Sequence, residues 1–161
     1  MTPTLLVKAV AAEVSEAVKN YRMKAEGVEK TPVTVYEQHI PDEEFKKDAY
    51  YPLVIVSWQG TADTDDGSEA AIGLTFGVYG EEKDAWKDLL SIMERVRQRL
   101  LIFRKLQNRY RIKLPTKFET IENQPYPFWF GYGTVTYQIG TPNEAMAESW
   151  NKIMEEDNSN E

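Results

Sequence analysis

Hydrophobic residues recur at steps of three and four in two long segments, and this spacing predicts two amphipathic helices. The first begins at Thr2-Pro3, a favourable N-cap and first helical residue, and is predicted to stop at Gly27. Its apolar positions are Leu6, Val7, Val10, Val14, Ala17, Val18 and Tyr21. The second opens at Glu81, is predicted to end at Asn108 and is the longest predicted helix. Its apolar positions are Trp86, Leu89, Leu90, Met93, Val96, Leu100, Phe103 and Leu106.

Other segments carry the patterns of β-strands. Residues 53–56 are continuously apolar, which predicts a central strand buried on both faces. Residues 71–79 and 132–139 alternate between two sides, as half-buried strands do. Residues 34–36 form a short β-prone run, and residues 109–114 predict either a short strand or an extended arm.

Together these elements predict an α+β fold. We expect a single antiparallel or mixed β-sheet packed against a long central helix and an N-terminal helix, with a short C-terminal helix at 141–157. Thr141-Pro142-Asn143-Glu144 has the capping-box pattern that opens such a helix. Its apolar positions are Met146, Trp150, Ile153 and Met154. With 161 residues the chain is predicted to form one domain over 1–157, followed by a disordered tail at 158–161.

Charge is distributed very unevenly along the chain. Residues 95–117 contain nine cations and no acid. Because the whole chain carries −7, the remainder carries −16. Such a division suits docking of a positive surface on a negative one, in another copy or another protein. It also suits binding of nucleic acid through one patch, although the acidic total argues against general nucleic-acid affinity.

Several classes of chemistry are excluded or disfavoured by residue content. The chain has no cysteine and a single histidine, His39, so disulfides, thiolate ligands and multi-histidine metal sites are excluded. A Ser-His-Asp triad would need His39 as its base. The sequence shows no nucleotide-binding, phosphate-binding or hydrolase motif, and we predict neither an enzyme nor a cofactor. No apolar run is long enough to span a bilayer, and Glu13 and Glu16 argue against a signal peptide.

A cluster of acids separates the two best-defined strands. We predict a β-hairpin whose long acidic loop contains Asp63, Asp65, Asp66 and Glu69. Carboxylates at this density could bind a divalent cation, but Glu69 stands too close to Gly67 for an EF-hand loop. The other interpretations are a solvated hairpin tip with an Asp-Gly turn and a loop that docks on a basic neighbour.

Aromatic residues crowd the segment 126–130, next to Pro125, Gly131 and Gly133. Such rings could stack nucleic-acid bases beside the basic stretch. The preferred interpretation is that they pack a corner of the sheet, because prolines and glycines bound the segment.

Three segments carry a resemblance to a known family. They are VIVSWQGTADTDDGSEAAIGLTFGVYGEE, WKDLLSIMERVRQRLL and KLPTKFETIENQPYPFWFGYGTVTYQI. They resemble tail terminator proteins of tailed bacteriophages and prophages, also called tail completion or tail-to-head joining proteins. The resemblance covers about residues 50–140 and is most specific over 124–131. It implies a small structural virion protein with a sheet packed against helices, without catalytic residues or a cofactor.

The resemblance further implies a ring, usually of six copies, on the head-proximal end of a long tail tube. There the ring would stop tube polymerisation and join the tail to the DNA-filled head. The implied partners are other copies, the tail tube protein and a head-completion or connector protein, with no membrane. DNA would pass through the lumen without sequence-specific binding. The expected location is the neck of the virion, and the host cytoplasm during assembly.

Two other functions stay open, namely another neck or head-tail connector component and a small nucleic-acid-binding protein that uses residues 95–117. The C-terminal helix at 141–157 lies outside the resemblance. We predict that the basic residues Arg97, Arg104, Lys105, Arg109 and Arg111 contact an acidic surface of a neighbouring subunit or partner. We place the acidic residues Asp63, Asp65, Asp66 and Glu69 either at an interface or facing the lumen, where they would repel DNA phosphates.

Overall fold

The computed structural model describes residues 2–144 and 147–160. Within these residues the chain forms four α-helices, six strands and a short 3₁₀ turn at Asp48–Tyr50. In chain order, the helices and strands are α1 (Thr2–Val18), β1 (Thr34–Glu37), α2 (Asp42–Phe45), β2 (Leu53–Thr64), β3 (Gly67–Tyr79), α3 (Trp86–Ile102), β4 (Lys105–Leu106), β5 (Tyr110–Thr120), β6 (Phe128–Ile139) and α4 (Ala147–Asn160).

The six strands form one mixed sheet in the order β1-β2-β3-β6-β5-β4. β1 pairs in parallel with β2, and every other pairing is antiparallel. The α+β class and the mixed sheet are therefore confirmed. β2 lies between two neighbours, and its first four residues are buried, as their continuous apolar run predicts.

The main core lies between one face of the sheet and the pair α1 and α3. α1 covers β1 and β2, while α3 covers β3, β6 and β5. The predicted stripe of α1 faces this core, although the helix ends at Val18 and not near Gly27. Its buried residues are Leu6, Val7, Ala9, Val10, Ala11, Val14 and Val18. Tyr21 follows the helix but still packs into the same core.

The prediction for the second long helix is wrong in its length. α3 has 17 residues, the same number as α1, and does not extend from Glu81 to Asn108. At Phe103 the backbone leaves helical geometry (φ −100°, ψ 65°), and Leu106 belongs to β4. Leu89, Met93, Val96 and Leu100 are buried as predicted, together with Ile92. Trp86, Leu90 and Phe103, which the spacing places in the same stripe, are exposed.

The predicted long acidic loop is wrong as well. β2 and β3 continue as paired strands to Thr64 and Gly67, which leaves only Asp65 and Asp66 in the turn. The reason is that β3 pairs with β6 as far as Ser68, so a regular strand edge is available for β2 to follow. The positive φ of Gly67 (+133°) suits the turn, and Thr64 Oγ1 donates to the Gly67 carbonyl (3.2 Å).

The opposite face of the sheet carries a smaller core at one end. α2 and the 3₁₀ turn lie over it. Its buried members are Ile40, Tyr51, Leu53, Ile55 and Phe130. The strand predicted at 132–139 begins earlier, at Phe128. Of the two alternatives for 109–114, the strand is confirmed, because residues 110–114 are the first part of β5. Beyond this small core, the other end of the same face carries exposed polar side chains, among them Thr134 and Gln138.

The C-terminal helix differs from its prediction at both ends. Residues 141–144 have no regular structure, so the predicted capping box does not form the first turn there. Met146 lies outside the described residues. α4 continues to Asn160, across most of the segment predicted to be a disordered tail.

Tyr137 supplies a test of the packing. Its hydroxyl is buried and has no hydrogen-bond partner among the described residues, and burial raises the pKa of the phenol. Because a buried polar group without a partner costs about 1–3 kcal/mol, Tyr137→Phe is expected to raise the free energy of unfolding by about 1 kcal/mol. Urea denaturation would measure the change, and a loss of stability of similar size would contradict this description of the core.

Candidate docking surface

Residues 104–111 form a small β-hairpin, which we call the basic hairpin. β4 and the start of β5 are joined by a three-residue loop (107–109), in which Gln107 and Asn108 both have left-handed conformation (φ 52° and 54°). Two successive residues with positive φ turn the chain tightly, and asparagine tolerates this conformation well. The amide of Ile112 donates to the carbonyl of Arg104 (2.8 Å), which closes the hairpin at its open end.

The two sides of the basic hairpin differ sharply. Leu106 and Tyr110 face each other across the strands and are buried in the main core. Lys105 lies directly opposite Arg111, and both side chains are exposed. Like charges directly opposite on neighbouring strands repel each other, so a nearby anion would stabilise the pair.

Four cations of the basic hairpin have no ion-pair partner within 2–144 and 147–160. They are Arg104, Lys105, Arg109 and Arg111, all four of them exposed. Arg104 Nε donates only to the Leu101 carbonyl (2.9 Å), which fixes its position and leaves its charge unneutralised. The structure thus brings together four of the five predicted basic interface residues.

The fifth, Arg97, lies apart on α3 and is engaged within the helix. It donates through Nε and Nη2 to Glu94 (2.8 and 2.7 Å). These hydrogen bonds, followed by the one from Gln98, lower the pKa of Glu94 to about 2. Arg99, two residues further along, pairs with Glu13 of α1 (2.6 Å). The charges of Arg97 and Arg99 are therefore paired within this chain.

The remaining cations of 95–117 also have intramolecular contacts. Arg95 lies over the ring of Tyr21, 5.1 Å from its centroid. Lys113 pairs with Glu69, and Lys117 pairs with Glu119 (3.2 Å). The basic segment is therefore not one continuous surface, and its uncompensated charge is concentrated in the basic hairpin.

Two apolar residues come directly before the basic hairpin and are exposed. Ile102 is 71% exposed and Phe103 44%. Sequence reasoning missed Ile102 and placed Phe103 in the core. With the basic hairpin they form what we call the basic-apolar surface (residues 102–111). Interfaces between proteins combine an apolar centre with a polar rim, and this surface has both components.

The four predicted acidic site residues do not form one cluster. Asp63 accepts a hydrogen bond from Ser68 Oγ (2.6 Å) on the helix-covered side of the hairpin. Asp65 and Asp66 occupy the exposed turn, and Glu69 points to the opposite face and pairs with Lys113. Among the residues described, no group of three or more acids or histidines is arranged to hold a metal ion.

An open cleft of about 660 Å³ lies beside the β2–β3 hairpin, between α4 and the body of the fold. Pro3, Leu5 and Ile139 line its body side, and Trp150 and Ile153 line its α4 side. The rim is charged, with Asp63, Arg109 and Glu156. Trp150 remains 58% exposed, so the cleft leaves much of the apolar stripe of α4 uncovered.

The aromatic segment packs a corner of the sheet, as its preferred interpretation predicts. Phe128 and Phe130 stack in parallel (ring centroids 6.3 Å apart) and join the small core on the open face. Trp129 points to the other face and donates from Nε1 to the Gly80 carbonyl (3.0 Å). Gln124 fixes the corner, because its amide both donates to and accepts from the backbone of Phe130 (2.9 and 2.6 Å).

His39, the only residue that could serve as the base of a Ser-His-Asp triad, is exposed. Within the described part of the chain, no helix is both long and apolar enough to cross a bilayer. No protein-family model matches this chain, and none of the curated proteins matches it.

Proposed function

We propose that the chain is a tail terminator. In this proposal it caps the head-proximal end of a long phage tail tube as a ring of six copies, by analogy with the family it resembles, and joins the tail to the filled head. The sequence resemblance over about residues 50–140 supports this function. The mixed sheet covered by helices agrees with the fold that the resemblance implies.

The observation that carries the proposal is the uncompensated charge of the basic hairpin. Lys105 and Arg111 face each other without an anion between them among the described residues. The chain as a whole carries −7, so further copies of it are a source of the missing anions. A closed ring needs two different patches on each subunit, and opposite charges on separate elements provide them.

We propose two alternative locations in the ring for the exposed turn between β2 and β3. Asp65 and Asp66 form no ion pair within the part of the chain that the structure describes. At an interface they would meet the cations of a neighbour or of the connector. Facing the lumen they would repel the passing phosphates and leave the DNA free to slide.

A nucleic-acid-binding protein is the second candidate, and the same four cations favour it. Four phosphate contacts would make the logarithm of the binding constant fall with a slope of about −4 against the logarithm of salt concentration. The engaged cations Arg97, Arg99 and Lys113 reduce the number left for phosphate. We therefore prefer docking on protein.

Tube growth in vitro tests the proposed function. Purified chain added to its cognate tail tube protein is expected to stop tube elongation when present at about one ring per tube end, as followed by electron microscopy. The matched control is the same chain with Arg104→Glu and Arg109→Glu, which should let tubes keep growing. Unchanged tube lengths with the unaltered chain would contradict a terminator, and binding only to heads would favour another neck component.

A further inference from the structure

α4 is an acidic helix with an exposed apolar stripe. Trp150 and Ile153 lie three residues apart, so they project from one side of the helix, and they are 58% and 45% exposed. The helix carries Glu155, Glu156 and Asp157 against the single cation Lys152 between residues 150 and 160. A helix of this type is usually stabilised by an apolar surface with basic neighbours.

The body of the same chain provides such a surface only in part. α4 makes no extensive contact with any other described helix or strand. Of the basic hairpin, only Arg109 reaches the cleft beside α4. Arg104, Lys105 and Arg111, together with Ile102, remain uncovered. Within one copy, therefore, both the apolar stripe of α4 and the basic-apolar surface lack most of their cover.

We propose that α4 of one copy docks on the basic-apolar surface of a second copy. Trp150 and Ile153 would lie against Ile102 and Phe103, and Glu155 and Glu156 would face the cations of the basic hairpin. The inference rests on the proposed ring, for which it names the two patches that meet.

The choice of a second copy follows from complementarity. One patch is apolar and acidic, the other apolar and basic, and every copy carries both. The patches lie on different elements, so the contact is heterologous and can repeat from copy to copy until a ring closes. The same contact places acids opposite Lys105 and Arg111, whose mutual repulsion is otherwise uncompensated.

Cysteine cross-linking tests the contact directly, because the natural chain has no cysteine. Met154→Cys is placed in one chain that carries a mass tag, and Ile102→Cys in an untagged chain, which leaves all charges and Trp150 intact. After mixing under oxidising conditions, we expect about tenfold more disulfide-linked tagged–untagged dimer than with the control pair. The control pairs Met154→Cys with Glu29→Cys, an exposed position outside both patches.

The outcomes separate this inference from the proposed function. Cross-linking at the level of the control in a preparation that still forms rings overturns the docking of α4 and leaves the ring proposal standing. A preparation that stays monomeric and does not cross-link overturns both. As a second readout, Glu155→Lys with Glu156→Lys should lower ring formation, and combining these changes with Arg104→Glu and Arg109→Glu in one chain should restore it.

Discussion

Asp88→Ala is expected to lower the free energy of unfolding by about 3 kcal/mol. Asp88 lies in the first turn of α3 and is only 2% exposed. Its carboxylate accepts hydrogen bonds from the hydroxyl of Tyr21 and from the amides of Lys24 (2.9 Å) and Ala25 (2.8 Å). Alanine would remove the acceptor that these three donors share, and the segment after α1 would lose this attachment to α3.

A second variant makes this prediction specific. Tyr21→Phe removes one donor and keeps the carboxylate, so a loss of about 1 kcal/mol is expected. Burial, followed by the hydrogen bond to Asp88, raises the pKa of Tyr21 to about 12, so the phenol stays neutral at physiological pH. Guanidinium denaturation of the three proteins would give the free energies. A cost for Asp88→Ala no larger than that for Tyr21→Phe would contradict the role of this carboxylate.

Reversing two charges of the basic hairpin has the largest expected effect on assembly. Arg104→Glu with Arg109→Glu should weaken ring formation at least about a hundredfold, because like charges brought together at an interface cost several kcal/mol. Both side chains are exposed, so the fold should be retained. Sedimentation velocity would measure the assembly, and circular dichroism would check the fold.

The matched control changes the same net charge elsewhere. Lys46→Glu with Lys47→Glu alters two exposed cations near α2, far along the chain from the basic hairpin. It should leave assembly nearly unchanged. Equal weakening by both pairs would show that total charge, and not this surface, controls association.

The elements that depend on local pattern were predictable from sequence. The stripe from Leu6 to Val18 and the apolar run at 53–56 occupy the core as expected. The residues at which helices and strands end were not predictable from local pattern, because they depend on contacts with neighbouring elements. The strand edge offered by β3 extends β2 to Thr64, and the left-handed turn at Gln107-Asn108 converts the expected end of a helix into a hairpin.

The residues of the candidate surface were predictable from sequence, but the cations that pair within the chain were not separated from them. The run of cations identified Arg104, Lys105, Arg109 and Arg111, which the structure brings together in one hairpin. The spacing of Arg97 three residues after Glu94 could have indicated an internal pair. No local signal reveals the pair between Arg99 and Glu13, which are 86 residues apart, because tertiary packing creates it.

The native mass of the purified chain, measured with and without duplex DNA at low and high salt, tests the central claim most directly. If the cations of the basic hairpin dock on protein, the chain should form a ring of about six copies whose mass does not depend on DNA. A monomer that acquires mass only when DNA is added, and loses it as salt rises, would contradict the account.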